Sequence, residues 1–205
     1  ELNKISKKMK INIKDVISAA KTKPFGFQEF YPGPGVGGHC IPVDPFFLSW
    51  KADKLGVNLK FIKLAGEIND RRPIEVFEEI DKSLKNHKFN KKNFKIVFYG
   101  ISYKRDSDDT RESPAIRIIK KFLDNEYLVR VIDPLVGDKN LKDIYKSKFK
   151  NIDKKNLYNF DKEKDVAIVL SNHSIFNYKK IINNFKLVYD CRNSFKKRYK
   201  NLIQV

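Results

Sequence analysis

The spacing of apolar residues changes period part-way along this chain of 205 residues. Up to residue 86 the spacing is helical. Residues 5–20 read as a helix interrupted after Met9, because Asn12-Ile13-Lys14-Asp15 carries the start signal of a second one. Residues 21–44 read as a loop. Pro45 then opens a helix through Phe46-Phe47-Leu48-Ser49-Trp50 that stops at Gly56. Leu59, Ile62, Ala65 and Ile68 share one face, and Val76, Phe77, Ile80 and Leu84 continue it. Pro73 falls inside this pattern and is expected to kink or split the helix.

Beyond residue 86 the pattern is that of strands. Phe94-Lys95-Ile96-Val97-Phe98-Tyr99-Gly100, Leu128-Val129-Arg130-Val131-Ile132, Asp165-Val166-Ala167-Ile168-Val169-Leu170-Ser171 and Leu187-Val188-Tyr189-Asp190 are short runs rich in β-branched and aromatic residues. Helical patterns over 114–125 and 175–184 alternate with them. Ser113 stands at the N-cap position of the first, with Pro114 following it. Strands alternating with helices imply a parallel sheet. Ligands of such sheets lie beyond the carboxyl ends of the strands. Here those ends are Gly100-Ile101-Ser102-Tyr103-Lys104, Asp133-Pro134, Ser171-Asn172-His173 and Asp190-Cys191-Arg192.

Apolar residues make up 41% of the chain, enough for a core. No run is long enough to cross a bilayer, and no secretory leader pattern opens the chain. No membrane partner and no metal site are expected. Cys40 and Cys191 do not form a disulfide framework, so a reducing, cytoplasmic location is expected. With 43 basic and 25 acidic residues the net charge is +18, which suggests an anionic partner. Pairs such as Lys7-Lys8, Lys120-Lys121, Lys154-Lys155 and Lys179-Lys180 are nevertheless spread along the chain, and no nucleic-acid-binding motif accompanies them. They read as a solvated surface, and nucleic acid is not expected as a partner.

The densest chemical signal is Pro32-Gly33-Pro34-Gly35-Val36-Gly37-Gly38-His39-Cys40-Ile41-Pro42-Val43-Asp44-Pro45. Glycines permit close backbone approach to a ligand, and prolines stiffen the frame and, on this reading, keep a regular helix out of it. Cys40 and Asp44 place a thiol and a carboxylate on that frame. Gly33, Gly35 and Gly38 fit G-x-G-x-x-G, which signals a dinucleotide site only between a strand and a helix N-terminus. Phe27-Gln28-Glu29-Phe30-Tyr31-Pro32 is a poor strand, and an exit through Pro42 and Pro45 does not read as an opening helix. The plain alternative is a structural turn with a buried thiol. A second cluster runs from Tyr103 to Ser113 with Lys104, Arg105 and Arg111, leading into a helix N-terminus. It reads either as an anion site for a nucleotide diphosphate or as a salt-bridged surface loop, since acidic residues alternate with the basic ones.

Taken together, the glycine stretch through Cys40 and Asp44, the Tyr103-Lys104 to Arg111-Glu112-Ser113-Pro114 segment and Asp190-Cys191-Arg192-Asn193 resemble the UDP-glucose/GDP-mannose dehydrogenase family along essentially the whole chain. The resemblance implies an α/β fold: a helical central region followed by a Rossmann-like parallel-sheet UDP-binding domain. The corresponding regions are residues 1–88, with the catalytic cysteine and a dimerisation surface, and 89–205. Members oxidise C6 of a nucleotide sugar to a carboxylate with NAD. Cys40 would then be the nucleophile, forming a thiohemiacetal and then a thioester, with Asp44 activating water or orienting the site. Phe30, Tyr31, Gly33, Gly35, Gly37 and Gly38 would wrap the sugar and nucleotide. Lys104 and Arg111 would bind the nucleotide sugar, and Arg192 would serve the cofactor side.

His39 and Val43 stand where UDP-glucose dehydrogenases usually have serine and lysine. The resulting form looks like the branch acting on UDP-N-acetylhexosamines, UDP-N-acetylglucosamine in particular. His39 either lowers the thiol pKa or packs within the loop. The family's NAD-binding domain is expected ahead of Glu1. The expectation is therefore a fragment, inactive alone, that contributes to a homodimer through residues 59–84. A stand-alone nucleotide-sugar-binding module is the alternative.

Overall fold

The computed structural model describes residues 1–91, 93–137 and 157–205 and divides into two compact units, Glu1–Gly33 and Pro34–Val205. The first holds α1 (Leu2–Lys8) and α2 (Ile13–Lys21). The break falls where the capping residue stands, since the Asn12 side chain accepts a hydrogen bond from the Lys14 N–H at 3.0 Å.

The second unit begins with α3 (Cys40–Lys54) and α4 (Lys60–Asn86). The sequence placed the start of α3 at Pro45 and read the prolines as excluding a helix, yet α3 starts at Cys40 and passes through both Pro42 and Pro45. The first-turn N–H groups of a helix have no intrahelical partner, so Pro42 in that turn removes nothing, and only Pro45 costs a bond. Pro73 does not split α4, which runs unbroken across it. The Asp70 carbonyl, in the turn before the proline, accepts a hydrogen bond from the Arg117 guanidinium at 2.7 Å.

A five-stranded sheet follows, with β1 (Lys95–Tyr99), β2 (Leu128–Ile132), β3 (Val166–Val169), β4 (Leu187–Asp190) and β5 (Leu202–Gln204) in the order β2-β1-β3-β4-β5, every pair parallel. Between them lie α5 (Pro114–Asp124) and α6 (Tyr178–Asn183). The three-residue β5 was too short to read from sequence. In register, Phe98 lies between Val131 and Ile168. Ile96, Phe98, Val166 and Ile168 pack with α4 and α5, while Val97, Tyr99, Ala167 and Val169 pack with α6 on the other face. Burial on both faces explains why the strands read as unbroken apolar runs. The Lys154-Lys155 pair lies outside the described residues.

The apolar stripe of α4 therefore divides. Val76, Ile80 and Leu84 are buried against α5 and the sheet, where Phe77 meets Phe122 edge-on at 4.8 Å. Asp81 accepts a hydrogen bond from Tyr127 at 2.6 Å, and Tyr189 bonds to Ser83 at 2.8 Å. This half of the stripe needs no second molecule. Leu64 and Ile68, nearer the start, remain exposed, as does Phe61.

Gly100 ends β1 with φ +78°, and a Cβ there would lie 2.5 Å from the Ser171 Cβ and 2.7 Å from its carbonyl oxygen. Backbone cannot yield as a side chain can, so Gly100→Ala combines left-handed strain with overpacking and should cost about 3 kcal/mol. Gly56 has a similar φ of +77° with open space around it, and Gly56→Ala should cost only about 1 kcal/mol. Thermal unfolding of the two variants checks this ordering.

Candidate functional site

Three glycines let one strip of backbone lie against another. Gly35 and Gly38 adopt φ of +140° and +92°. A Cβ on Gly37 would sit 2.6 Å from the Tyr103 Cβ and 2.8 Å from the Glu112 carbonyl oxygen, and one on Gly35 would meet Pro114 at 3.0 Å. The space these glycines leave is filled by the chain itself rather than kept for a pyrophosphate. The strip is tied at both ends. The Asn69 side chain accepts from the Val36 N–H at 2.7 Å and donates to its carbonyl at 3.3 Å, and the Gly38 N–H donates to the Arg111 carbonyl at 3.0 Å.

Cys40 follows two residues later as the first residue of α3, exposed, with no disulfide partner. Asp44 is exposed one helical turn on, which places thiol and carboxylate on the same face. Cys191 contrasts with Cys40: burial pushes its thiol up to about 12, and it is a packed apolar side chain.

The loop after β1 leads from Gly100 to α5, and the other strands hold its base. Order β2-β1-β3 places a topological switch point between β1 and β3, where ligands of such sheets bind. From the end of β2, the buried Asp133 carboxylate accepts from the Ile101 N–H at 2.7 Å, the Ser102 N–H at 3.3 Å and the His173 ring at 3.2 Å. Its other oxygen accepts from Leu135 and Val136. Burial alone would raise this carboxyl, but the His173 and Ile101 donors hold it below its ordinary value. From beyond β4, the Arg192 guanidinium donates to the Leu170 carbonyl at 2.9 Å and the Tyr103 carbonyl at 3.1 Å. Burial lowers its pKa. Ser113, at the N-cap position of α5, donates instead to the Ile101 carbonyl at 2.6 Å, so the capping role expected of it is not the one it plays.

The structure thus brings Gly35, Gly37 and Gly38 together with the loop carrying Lys104 and Arg111, and Arg192 joins from below. Arg111 grips Asp109 with its Nε at 3.0 Å and an Nη at 2.6 Å. That hydrogen bond, then the Asp109 charge, raises its pKa. Lys104 is exposed, and its ammonium has no partner among the described residues. Phe30, Tyr31 and Gly33 belong to the first unit. There Phe30 is 74% exposed and the Tyr31 hydroxyl donates to Glu29 at 3.1 Å. Asn69, Asp133 and His173 are the residues that sequence reasoning left without a role. Only their places, on a helix face and at two strand ends, gave any signal. No cluster of metal-ligating side chains occurs among the described residues, and no helix described is long and apolar enough to cross a membrane.

Profiles of the UDP-glucose/GDP-mannose dehydrogenase family match residues 1–71 as its central domain and residues 97–197 as its UDP-binding domain. The chain belongs to this family. The UDP-N-acetyl-D-mannosamine dehydrogenase of Methanococcus aeolicus is 34% identical over 194 residues, 90% of this chain and 43% of the relative. The enzyme of the same name from Campylobacter jejuni is 36% identical over 86% of this chain and 41% of its own length. Among solved structures, the UDP-D-ManNAc dehydrogenase of Pyrococcus horikoshii superposes with a TM-score of 0.78 at 25% identity, covering 98% of this chain and 45% of that one. The chain spans less than half the length of these relatives.

The loop base should be sensitive to acid. The folded-state Asp133 carboxyl titrates below its unfolded value, so its charged form stabilises the fold above about pH 4 and that contribution is lost as pH falls through the folded-state value. Asp133→Asn should lower stability at neutral pH by about 2–4 kcal/mol and flatten the acid limb of a stability-against-pH profile. An unchanged acid limb would show that another group governs it.

Proposed function

We propose that this chain is the cysteine-bearing central region and UDP-binding domain of an NAD-dependent UDP-N-acetylhexosamine 6-dehydrogenase. The observation that carries this reading is the Gly38 N–H to Arg111 carbonyl bond, which joins the start of the cysteine helix to the loop suited to a nucleotide diphosphate. Lys104 supplies the unpaired charge. Arg111 retains N–H donors beyond those spent on Asp109, and α5 adds its N-terminal dipole. Cys40 would add through sulfur to a C6 aldehyde, its thiol proton passing to the aldehyde oxygen, and loss of a hydride and a proton from that thiohemiacetal would give a thioester. Asp44, on the same helix face, takes the proton of the water that hydrolyses it. NAD, when bound, would supply the hydride acceptor for both oxidations, alcohol to aldehyde and thiohemiacetal to thioester. No cradle for it is formed by the described residues, because the glycine frame is filled by Tyr103 and Pro114 and the Arg192 guanidinium bonds to two carbonyls.

The motif alone pointed to UDP-N-acetylglucosamine. The relatives carry the names of UDP-N-acetyl-D-mannosamine dehydrogenases and, in Ralstonia solanacearum, of an NDP-N-acetyl-D-galactosaminuronic acid dehydrogenase. These names favour UDP-N-acetyl-D-mannosamine as the first substrate to test. Calorimetric titration should show UDP binding to the chain, weakened roughly tenfold by Lys104→Ala. With NAD and UDP-N-acetyl-D-mannosamine, this polypeptide by itself should produce no reduced cofactor. Absence of UDP binding, or turnover by this chain unaided, would overturn the reading.

The same reading includes a homodimer. Ile41, Phe47, Trp50 and Phe61 are 69%, 66%, 61% and 89% exposed on α3 and the start of α4. A groove of about 330 Å³ lies among Ile41, Pro42, Phe46, Phe61 and Gly66. Exposed apolar surface on this scale marks an interaction site. Light scattering should report a dimer at micromolar concentration, and Trp50→Asp with Phe61→Asp should yield a folded monomer.

A further inference from the structure

We propose that His173 is a positioning residue for the nucleotide-binding loop. It is the acceptor that fixes the Asp106 backbone between the two cationic residues assigned to UDP. The inference rests on the reading of that loop as the UDP site.

The His173 ring is fully buried beyond the end of β3, and each of its nitrogens is committed. Nδ1 receives the Asp106 N–H at 2.9 Å. A nitrogen that accepts an N–H carries no proton of its own, so the ring proton is on Nε2. Nε2 faces the Asp133 carboxylate at 3.2 Å and the Ser102 hydroxyl oxygen at 3.1 Å. Asp133 is thereby the group that selects the tautomer and stops the ring from turning.

Each connection reaches the loop. Asp106 has φ +54°, a conformation that non-glycine residues hold only when their surroundings fix it. Its carboxylate passes the ring to accept from the Ser174 N–H at 2.6 Å and hydroxyl at 2.9 Å, so residues 173 and 174 hold Asp106 from two directions. The Ser102 hydroxyl, in contact with the same ring, donates to the Lys104 carbonyl at 2.9 Å. The main chain on both sides of Arg105 is thus referred back to one imidazole. A histidine that merely filled the core would need neither the bare Nδ1 nor the partner at a left-handed residue.

Asparagine places an acceptor near Nδ1 but loses the donor at Nε2, and glutamine does the reverse. UDP titration and amide hydrogen exchange on the wild-type chain, His173→Asn and His173→Gln separate the roles. His173→Gln should weaken UDP binding roughly tenfold and speed exchange at Asp106, while His173→Asn stays within about threefold of wild type. Should His173→Gln fail to fold, the exposed Asp106 offers a second pair: Asp106→Ala is expected to bind UDP about fivefold more weakly and Asp106→Asn to match wild type. If wild type binds UDP and neither His173 variant differs from it, the positioning role is wrong. If both variants weaken binding equally in step with lost thermal stability, His173 is a packing residue and the inference fails. No UDP binding by the wild type would remove the nucleotide reading itself, and the positioning role with it.

Discussion

The contact between the glycine strip and the loop after β1 is the constraint on which the site depends. Side-chain-free backbone at Gly35 and Gly37 is what lets residues 35–38 lie on Tyr103, Glu112 and Pro114, and a single Cβ at Gly37 would enter both a side chain and a carbonyl. Because α3 begins two residues after this contact, the position of Cys40 is set by the α/β domain rather than by a tether. Placement of reacting groups to within an ångström is worth large rate factors, and here one hydrogen bond and a close steric fit supply the link. The glycines bring two parts of the protein together.

That link is useful only if the loop it rests on is itself fixed. The loop leaves the sheet at the switch point, where β1 exits between β2 and β3 and its last ladder bond runs from the Gly100 N–H to the Ile132 carbonyl. Asp133 from β2, His173 after β3 and Arg192 after β4 replace the missing ladder with side-chain bonds to its backbone. Asp133 is a buried anion accepting from backbone N–H groups and one imidazole, an arrangement in which each donor offsets desolvation of the carboxylate. Arg192, expected on the cofactor side, joins the loop to the end of β3 in this structure.

The strands, the helices and their alternation were legible because burial on both sheet faces forces continuous apolar runs and because Asn12 and Pro114 mark helix starts locally. The start of α3 was not. Pro42 and Pro45 look like breakers until one counts from Cys40 and finds Pro42 in the turn that makes no bonds. The fate of the α4 stripe was equally hidden. Leu59 to Leu84 has one period throughout, and period alone does not say that Ile80 meets α5 and the sheet while Ile68 meets solvent. His173 and Asp133 were visible only as residues at strand ends. Their pairing joins residues 40 positions apart through the order of strands in the sheet, which no local pattern encodes.

One helix connects the exposed apolar face to the glycine strip and the core. The first turns of α4 carry the exposed Phe61, Leu64 and Ile68. The next residues, Asn69 and Asp70, bind the glycine strip through Val36 and the side chain of Arg117 on α5. The last turns place Val76, Ile80 and Leu84 in the core under the sheet. A helix is stiff along its axis, and Pro73 weakens this one at the point where the bonds to Val36 and Arg117 are made. Burial of the exposed first turns by a second copy would therefore bear directly on the segment that seats the glycine strip.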